Sequence, residues 1–236
     1  MPHTHPYWIG LGDLHGHVAN LARIPELAGA AGVIVSGDLT VKGGVPQARQ
    51  VIDAIASINP AIHAQIGNMD LAPVETWLDE KGLGIHARTV ELAPGLGLMG
   101  LGWSNPTPFK TPSEVDDAQL GQWLEQAYAT AKNFGTLLLV SHTPPLDTAA
   151  DQVSKGVHVG SKAVREFILR AQPALCLTGH IHEARSVDAL GDTVILNPGD
   201  LAGGGYARID WDGRSLTGAL RLVADSGWKG KGGRFG

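Results

Sequence analysis

The chain has 236 residues and a single cysteine, Cys176, so it sits near the upper end of single-domain size and no disulfide can form within it. Its hydrophobic share of 43% against a charged share of 17% is an ordinary globular balance, with enough apolar material for a core. A net charge of −5 leaves no basic footprint for a nucleic-acid backbone, and no run approaches the roughly 20 apolar residues of a membrane span.

The first six residues have neither the positive charge nor the apolar segment of a secretory leader, and the expectation is a soluble cytoplasmic protein. A short apolar run over 7–11 then ends in Gly12-Asp13 and reads as a strand. Residues 17–30 carry Val18, Leu21, Ala22, Ile24 and Leu27, which predicts a helix bent or broken at Pro25. Residues 32–36 form a second strand. Helical spacing of Val51, Ile52, Ile55 and Ala56 predicts a helix over 47–58, with Pro46 where a first turn tolerates it. Residues 61–66 complete a strand–helix–strand–helix–strand order, which argues for parallel pairing with crossover helices.

Residues 84–92 and 96–101, split by Ala93-Pro94-Gly95, read as an antiparallel hairpin. A turn-rich loop over 102–108 comes next, in which Trp103 reads as a packed anchor rather than a base-stacking platform, and Asn105 lines the cleft. Ser113 with Asp116 three positions on signals a helix start, and Leu120, Trp123, Leu124 and Ala127 mark its buried face. The 136–140 run is a buried strand. Residues 147–160 are polar and aperiodic, which predicts a mobile loop with His158 as a solvated histidine. Ser161 caps the next helix, and 174–178 is a strand holding Cys176 as a buried, inert thiol. Short strands continue near 185–187, 193–196, 206–210 and 215–222. A single domain over 1–224 is expected, with a frayed Gly- and Lys-rich tail from 225 whose Lys229, Lys231 and Arg234 form a solvated end.

Five of these apolar runs end in residues that bind metals: Asp13-Leu14-His15, Gly37-Asp38, Gly67-Asn68, Ser141-His142 and Gly179-His180-Ile181-His182. In an α/β fold, strand ends are where distant segments converge on one crevice. Three carboxylate or carboxamide groups and four imidazoles, without thiolate, favour Mn, Fe, Zn or Ni over a structural zinc site. Seven ligands exceed what one such ion takes and suit two ions sharing a bridge. Each piece alone is an ordinary turn motif; the set, in order and at strand ends, is specific.

The pattern resembles the calcineurin-like metallophosphoesterase superfamily: Asp-x-His, Gly-Asp, Gly-Asn-His-Asp/Glu, a lone His, then Gly-His-x-His. Here these read Asp13-Leu14-His15, Gly37-Asp38, Gly67-Asn68-Met69-Asp70, His142 and Gly179-His180-Ile181-His182. Downstream, Asn197-Pro198-Gly199 is similar to the corresponding segment of bacterial and archaeal members. The segments 102–109 and 141–145 are similar to predicted phosphoesterases of the Icc type. The resemblance implies an α/β fold, a four-layer α/β/β/α sandwich with mixed sheets. It also implies one ion on Asp13, His15 and His182, another on Asn68, His142 and His180, and Asp38 bridging them. Manganese is the first expectation.

Such a pair of ions implies in-line attack by a metal-bridging hydroxide on a small phosphoester, of which a nucleotide-derived one is an example. The family's histidine after Asn is replaced by Met69, which has no proton to give. Asp70 is expected to orient a histidine, and His17 to substitute as the acid. Catalytic expectations therefore fall on Asp38, Asn68, His17 and Asp70. The expected activity is a phosphodiesterase; the alternatives are a scaffold that keeps the fold without chemistry, and a phosphomonoesterase. Against the last, neither Arg49 nor Arg88 is placed beside the motifs.

Overall fold

The computed structural model describes residues 5–223; the tail expected from residue 225 lies outside them. Two sheets face each other. The first contains β1 (Tyr7–Leu11), β2 (Gly32–Val35), β3 (Ile62–Ala64), β12 (Gly205–Trp211) and β13 (Leu216–Leu222), in the order β13-β12-β1-β2-β3. The second contains β4 (Thr89–Ala93), β5 (Leu96–Leu101), β6 (Thr136–Ser141), β9 (Leu175–Thr178), β10 (Ser186–Leu190) and β11 (Thr193–Asn197), in the order β10-β11-β9-β6-β5-β4. β7 (Gln152–Val153) and β8 (Val157–His158) make a separate small hairpin. Both large sheets are mixed: β1, β2 and β3 run parallel and β12 antiparallel to β1, while β5, β6, β9 and β11 are parallel with antiparallel edges.

Strand alternation divides the apolar residues between layers. Trp8, Ile34, Leu138, Val140, Leu177 and Ile209 fill the space between the sheets. Ile9, Leu11, Val33 and Val35 point the other way, onto α1 (Val45–Ala56) and α2 (Pro73–Glu80). Leu139, Cys176 and Ile195 face α3 (Asp117–Ala131) and α4 (Lys162–Ala171). The result is the expected α/β/β/α sandwich. Truncating a buried helix anchor such as Phe167 to Ala would cost about 3–5 kcal/mol. Among the described residues, no helix is long and apolar enough to cross a membrane.

The chain departs from the sequence expectations in five places. Residues 17–30 are not a helix: only Leu21–Arg23 forms a short 3-10 turn. Leu21, Ile24 and Leu27 are buried at a strict spacing of three, and their N–H groups donate three residues back, to Val18, Leu21 and Ile24. That is 3-10 spacing rather than α, and Pro25 supplies no donor to restore an α-helix. The hairpin's first strand begins only at Thr89, since Gly84 and His86 make isolated parallel bridges to Ala64 and Gly100. The α3 cap is Asp116, whose side chain accepts from Gln119 N–H, while the Ser113 hydroxyl donates to Asp70 O. The 147–160 segment is organised: buried Asp151 accepts from the backbone N–H groups of Asp147, Thr148 and Gly160 and meets the half-buried His158 ring at 2.6 Å. Finally, α2 was not foreseen, although Val74, Trp77 and Leu78 at i, i+3, i+4 after Pro73 carry its signature.

Candidate metal centre

All five clusters meet where the strands of the two sheets end. Asp13 and His15 follow β1, Asp38 follows β2, Asn68 follows β3, His142 follows β6, and His180 and His182 follow β9. The backbone there is unusual. Asp13, His15, Asp38 and His180 all have left-handed φ, at 51°, 48°, 53° and 70°. Such conformations cost roughly 1–3 kcal/mol each and gather at functional sites. Two glycines let the loops touch: a Cβ on Gly67 would stand 2.1 Å from Asp38 Oδ1 and 2.5 Å from His142 Cε1, and one on Gly37 would stand 2.6 Å from His142 Nδ1.

The donor atoms converge as two groups. One atom each from Asp13, His15 and His182 lie within 4.8 Å of one another, and so do atoms from Asp13, Asp38 and His142. His15 Nε2 and His182 Nε2 are 3.1 Å apart. Asn68 Oδ1 lies 2.9 Å from His142 Nε2 and 2.8 Å from His180 Nδ1. Asp38 reaches both sides, with Oδ2 3.7 Å from His15 Nε2 and Oδ1 3.5 Å from His142 Nε2. Two carboxylates, an amide oxygen and four imidazoles, all converging, fit divalent cations.

Neighbouring groups fix these donors in orientation. His15 Nδ1 donates to Thr40 O at 3.2 Å, which leaves Nε2 with its lone pair toward Asp13 and His182. His182 Nδ1 stands 3.9 Å from Asp200. Asn68 Nδ2 donates to the Thr111 hydroxyl at 2.9 Å, and that hydroxyl donates to Glu114. This pins the Asn68 amide with its oxygen facing the histidines. Gln65 Nε2 lies behind the site and donates to Ser36 O, Leu101 O and Val140 O, tying the two sheets together at their ends.

Burial and mutual charge set the protonation of the donors. Burial pushes His142 down to about 3 and His180 down to about 4, so both imidazoles are neutral and able to ligate at neutral pH. Burial also lowers His15. Burial would raise Asp13, but the His182 hydrogen bond and the surrounding histidines hold it at about 2. Desolvation and the nearby Asp13 and Asp70 carboxylates raise Asp38 well above the usual range; crowded carboxylates of this kind are stabilised by a cation.

The structure brings all seven expected ligands together and corrects the expectation for Asp70. Asp70 does not orient a histidine. It is buried and accepts from Leu39 N–H, Gly67 N–H, Thr40 N–H and the Thr40 hydroxyl, locking the Asp38 loop to the Asn68 loop. His17 is exposed, and its side chain makes no hydrogen bond or ion pair among the described residues. Trp103 is an anchor, as expected: its Nε1 donates to Glu75 at 2.7 Å and its ring lies 5.7 Å from that of Trp123. The two arginines are engaged elsewhere, Arg49 over the Trp77 ring and Arg88 with Asp79. Thr40, Gln65, Thr111, Glu114 and Asp200 were not foreseen; only Asp200, directly after Asn197-Pro198-Gly199, and Gln65, polar within an apolar run, carried a sequence signal.

Residues 9–184 match the model of the calcineurin-like phosphoesterase family. The chain is 34% identical over 197 residues to the uncharacterized protein MJ1162 of Methanocaldococcus jannaschii, covering 80% of this chain and 86% of that one. Among solved structures it is similar to TT1561 of Thermus thermophilus, with a TM-score of 0.70 at 20% identity over 93% of this chain and 100% of that one. It is also similar to a dimetal phosphatase from Danio rerio, with a TM-score of 0.63 at 12% identity over 94% and 97%. These last two likenesses concern the fold.

Proposed function

We propose, from the premise that this chain belongs to the calcineurin-like phosphoesterase family, that it hydrolyses phosphodiesters with the aid of two divalent ions. One ion is assigned to Asp13, His15 and His182, the other to Asn68, His142 and His180, with Asp38 between them. The observation that carries this reading is the Asp38 carboxylate, whose two oxygens face histidines of different sets, His15 and His142. Asp13 lies in both donor groups and supports a shared centre. When bound, two such ions lower the pKa of a water and neutralise phosphate oxygens; manganese is the first choice for this mixed N and O set, then iron, zinc or nickel.

The remaining chemistry falls to the chain. Thr40 and Thr111 hold His15 and Asn68 in their ligating orientations. Met69 follows Asn68, and its backbone N–H donates to Asp38 Oδ1 at 2.8 Å while its thioether has no proton to give. Leaving groups that depart as stable anions are therefore favoured. A diester also brings one negative charge on phosphorus rather than two, which suits a chain of net charge −5. His17 is the remaining imidazole on the Asp13–His15 turn and is assigned the leaving-group proton for poorer esters. The substrate is small, and the protein is assigned to the cytoplasm.

Turnover of bis-p-nitrophenyl phosphate and of glycerol phosphate with added Mn tests the reading. A preference for the diester of about 100-fold is expected, the lower end of what a well-placed general acid contributes, because exposed His17 is a weaker donor than a histidine at position 69 would be. A strong preference for glycerol phosphate contradicts it.

A further inference from the structure

Beside the metal centre, on the His15 side, lies a recess of about 320 Å³. His15, one of the seven donors, and Gly16 form one wall, which places the recess next to the centre. The 40–43 loop forms a second wall and the α1 residues Gln47, Gln50 and Val51 a third. The volume lies at the lower end of small-ligand sites and suits a group of about nucleoside size.

The loop is built rather than slack. Asp70 holds Thr40 through its N–H and its hydroxyl, both at 2.8 Å, and Gly43 N–H donates to Thr40 Oγ1. Lys42 N–H donates to Met69 O at 2.8 Å, Leu71 N–H donates to Gly43 O, and Lys42 sits at a left-handed φ of 54°. The backbone that carries Lys42 is thus tied from both sides. Its side chain is exposed and makes no ion pair or hydrogen bond among the described residues. Among the described residues, Lys42 is the one Lys or Arg lining the recess, and no Asp or Glu lines it. Gln47 Oε1 is engaged by Gly44 N–H at 3.2 Å, which leaves its NH₂ to donate inward. Val41 is 60% exposed at the rim, an apolar surface without a packing role.

We propose that this recess seats the organic part of the phosphodiester and that Lys42 reads a second anionic group on it, a phosphate or carboxylate remote from the scissile phosphorus. The inference rests on the phosphodiesterase reading above. A single charged contact supports selectivity of about tenfold once the lysine's lost freedom is subtracted.

The test compares the dinucleotides pApA and ApA, which differ in one terminal phosphate, on parent, Lys42→Gln and Lys42→Arg. The parent is expected to favour pApA in kcat/KM by about tenfold. Lys42→Gln brings the ratio near one, and Lys42→Arg keeps most of it. A ratio near one in the parent, or one unchanged in Lys42→Gln, overturns the proposal. So does failure to cleave either dinucleotide by protein that cleaves bis-p-nitrophenyl phosphate. Calorimetry of the same dinucleotides on protein without added metal reads the recess apart from turnover. There, tighter binding of pApA than ApA by the parent but not by Lys42→Gln supports the recess even if no diester is cleaved, an outcome that overturns only the phosphodiesterase reading. Equal binding overturns the recess.

Discussion

Replacing Thr111 by Val removes one hydroxyl at nearly constant shape, and its effect should appear at Asn68. The hydroxyl accepts from Asn68 Nδ2 at 2.9 Å and donates to Glu114. Without it, the half of the Asn68 amide that faces away from the histidines loses its partner, and nothing distinguishes the amide from its flipped form. Flipping would point NH₂ rather than oxygen at His142 and His180. An ordinary hydrogen bond contributes about 1 kcal/mol net, and a buried group left unpaired costs about 1–3 kcal/mol. At about 1.4 kcal/mol per factor of ten, the Asn68-side ion should bind roughly 10- to 100-fold more weakly. Metal titration by calorimetry, with Mn electron paramagnetic resonance to count ions, reads this directly. Thr111→Val should fill one site at a metal concentration where the parent fills two, and Thr111→Ser should restore the second. Two ions bound at parental affinity in Thr111→Val would refute the orienting role.

Gly67→Ala should abolish metal binding while leaving a folded protein, because the new Cβ would lie 2.1 Å from Asp38 Oδ1; circular dichroism together with metal titration checks both halves. His86 gives a pH prediction away from the centre. Burial, with Arg88 nearby, lowers it from 6.5 to about 4, and its Nδ1 accepts from Gly102 N–H. The folded state thus favours the neutral ring: the stability is present above pH 6.5 and is lost as pH falls toward 4. It amounts to about 3 kcal/mol at most. His86→Asn keeps an acceptor that does not titrate, so its urea midpoint should fall less than the parent's between pH 7 and 4.5; parallel curves would contradict this. Asp151→Ala should release the 147–160 segment at a cost of about 2–4 kcal/mol in urea unfolding, since the carboxylate holds three backbone N–H groups.

The ligand clusters were legible because each is local: a strand ends, a glycine or a left-handed residue turns the chain, and a donor follows. The layers were implied by the family resemblance, and alternation in β1, which sets Trp8 on one face and Ile9 on the other, is the physical basis for them. What escaped depended on contacts across long stretches of chain. Asp70 was expected beside a histidine, but four donors from Leu39, Thr40 and Gly67 surround it, a fact of how two loops approach. Thr111 and Glu114 sit in a loop more than 40 residues from Asn68 and carry no local mark of their task. The 17–30 segment failed in the opposite direction. Leu21, Ile24 and Leu27 do lie inside, yet their spacing of three belongs to successive 3-10 turns rather than to the α-helix they suggested, and Ala22 is exposed.

Whether Asp38 joins two ions is tested most directly by loading the parent and Asp38→Ala with Mn and recording the resonance spectrum alongside bis-p-nitrophenyl phosphate turnover. The parent should hold two magnetically coupled ions and be active, and Asp38→Ala should lose both the coupling and at least about 100-fold in rate. A single uncoupled ion in the active parent, or an Asp38→Ala protein that hydrolyses as fast as the parent, would contradict a shared dinuclear centre.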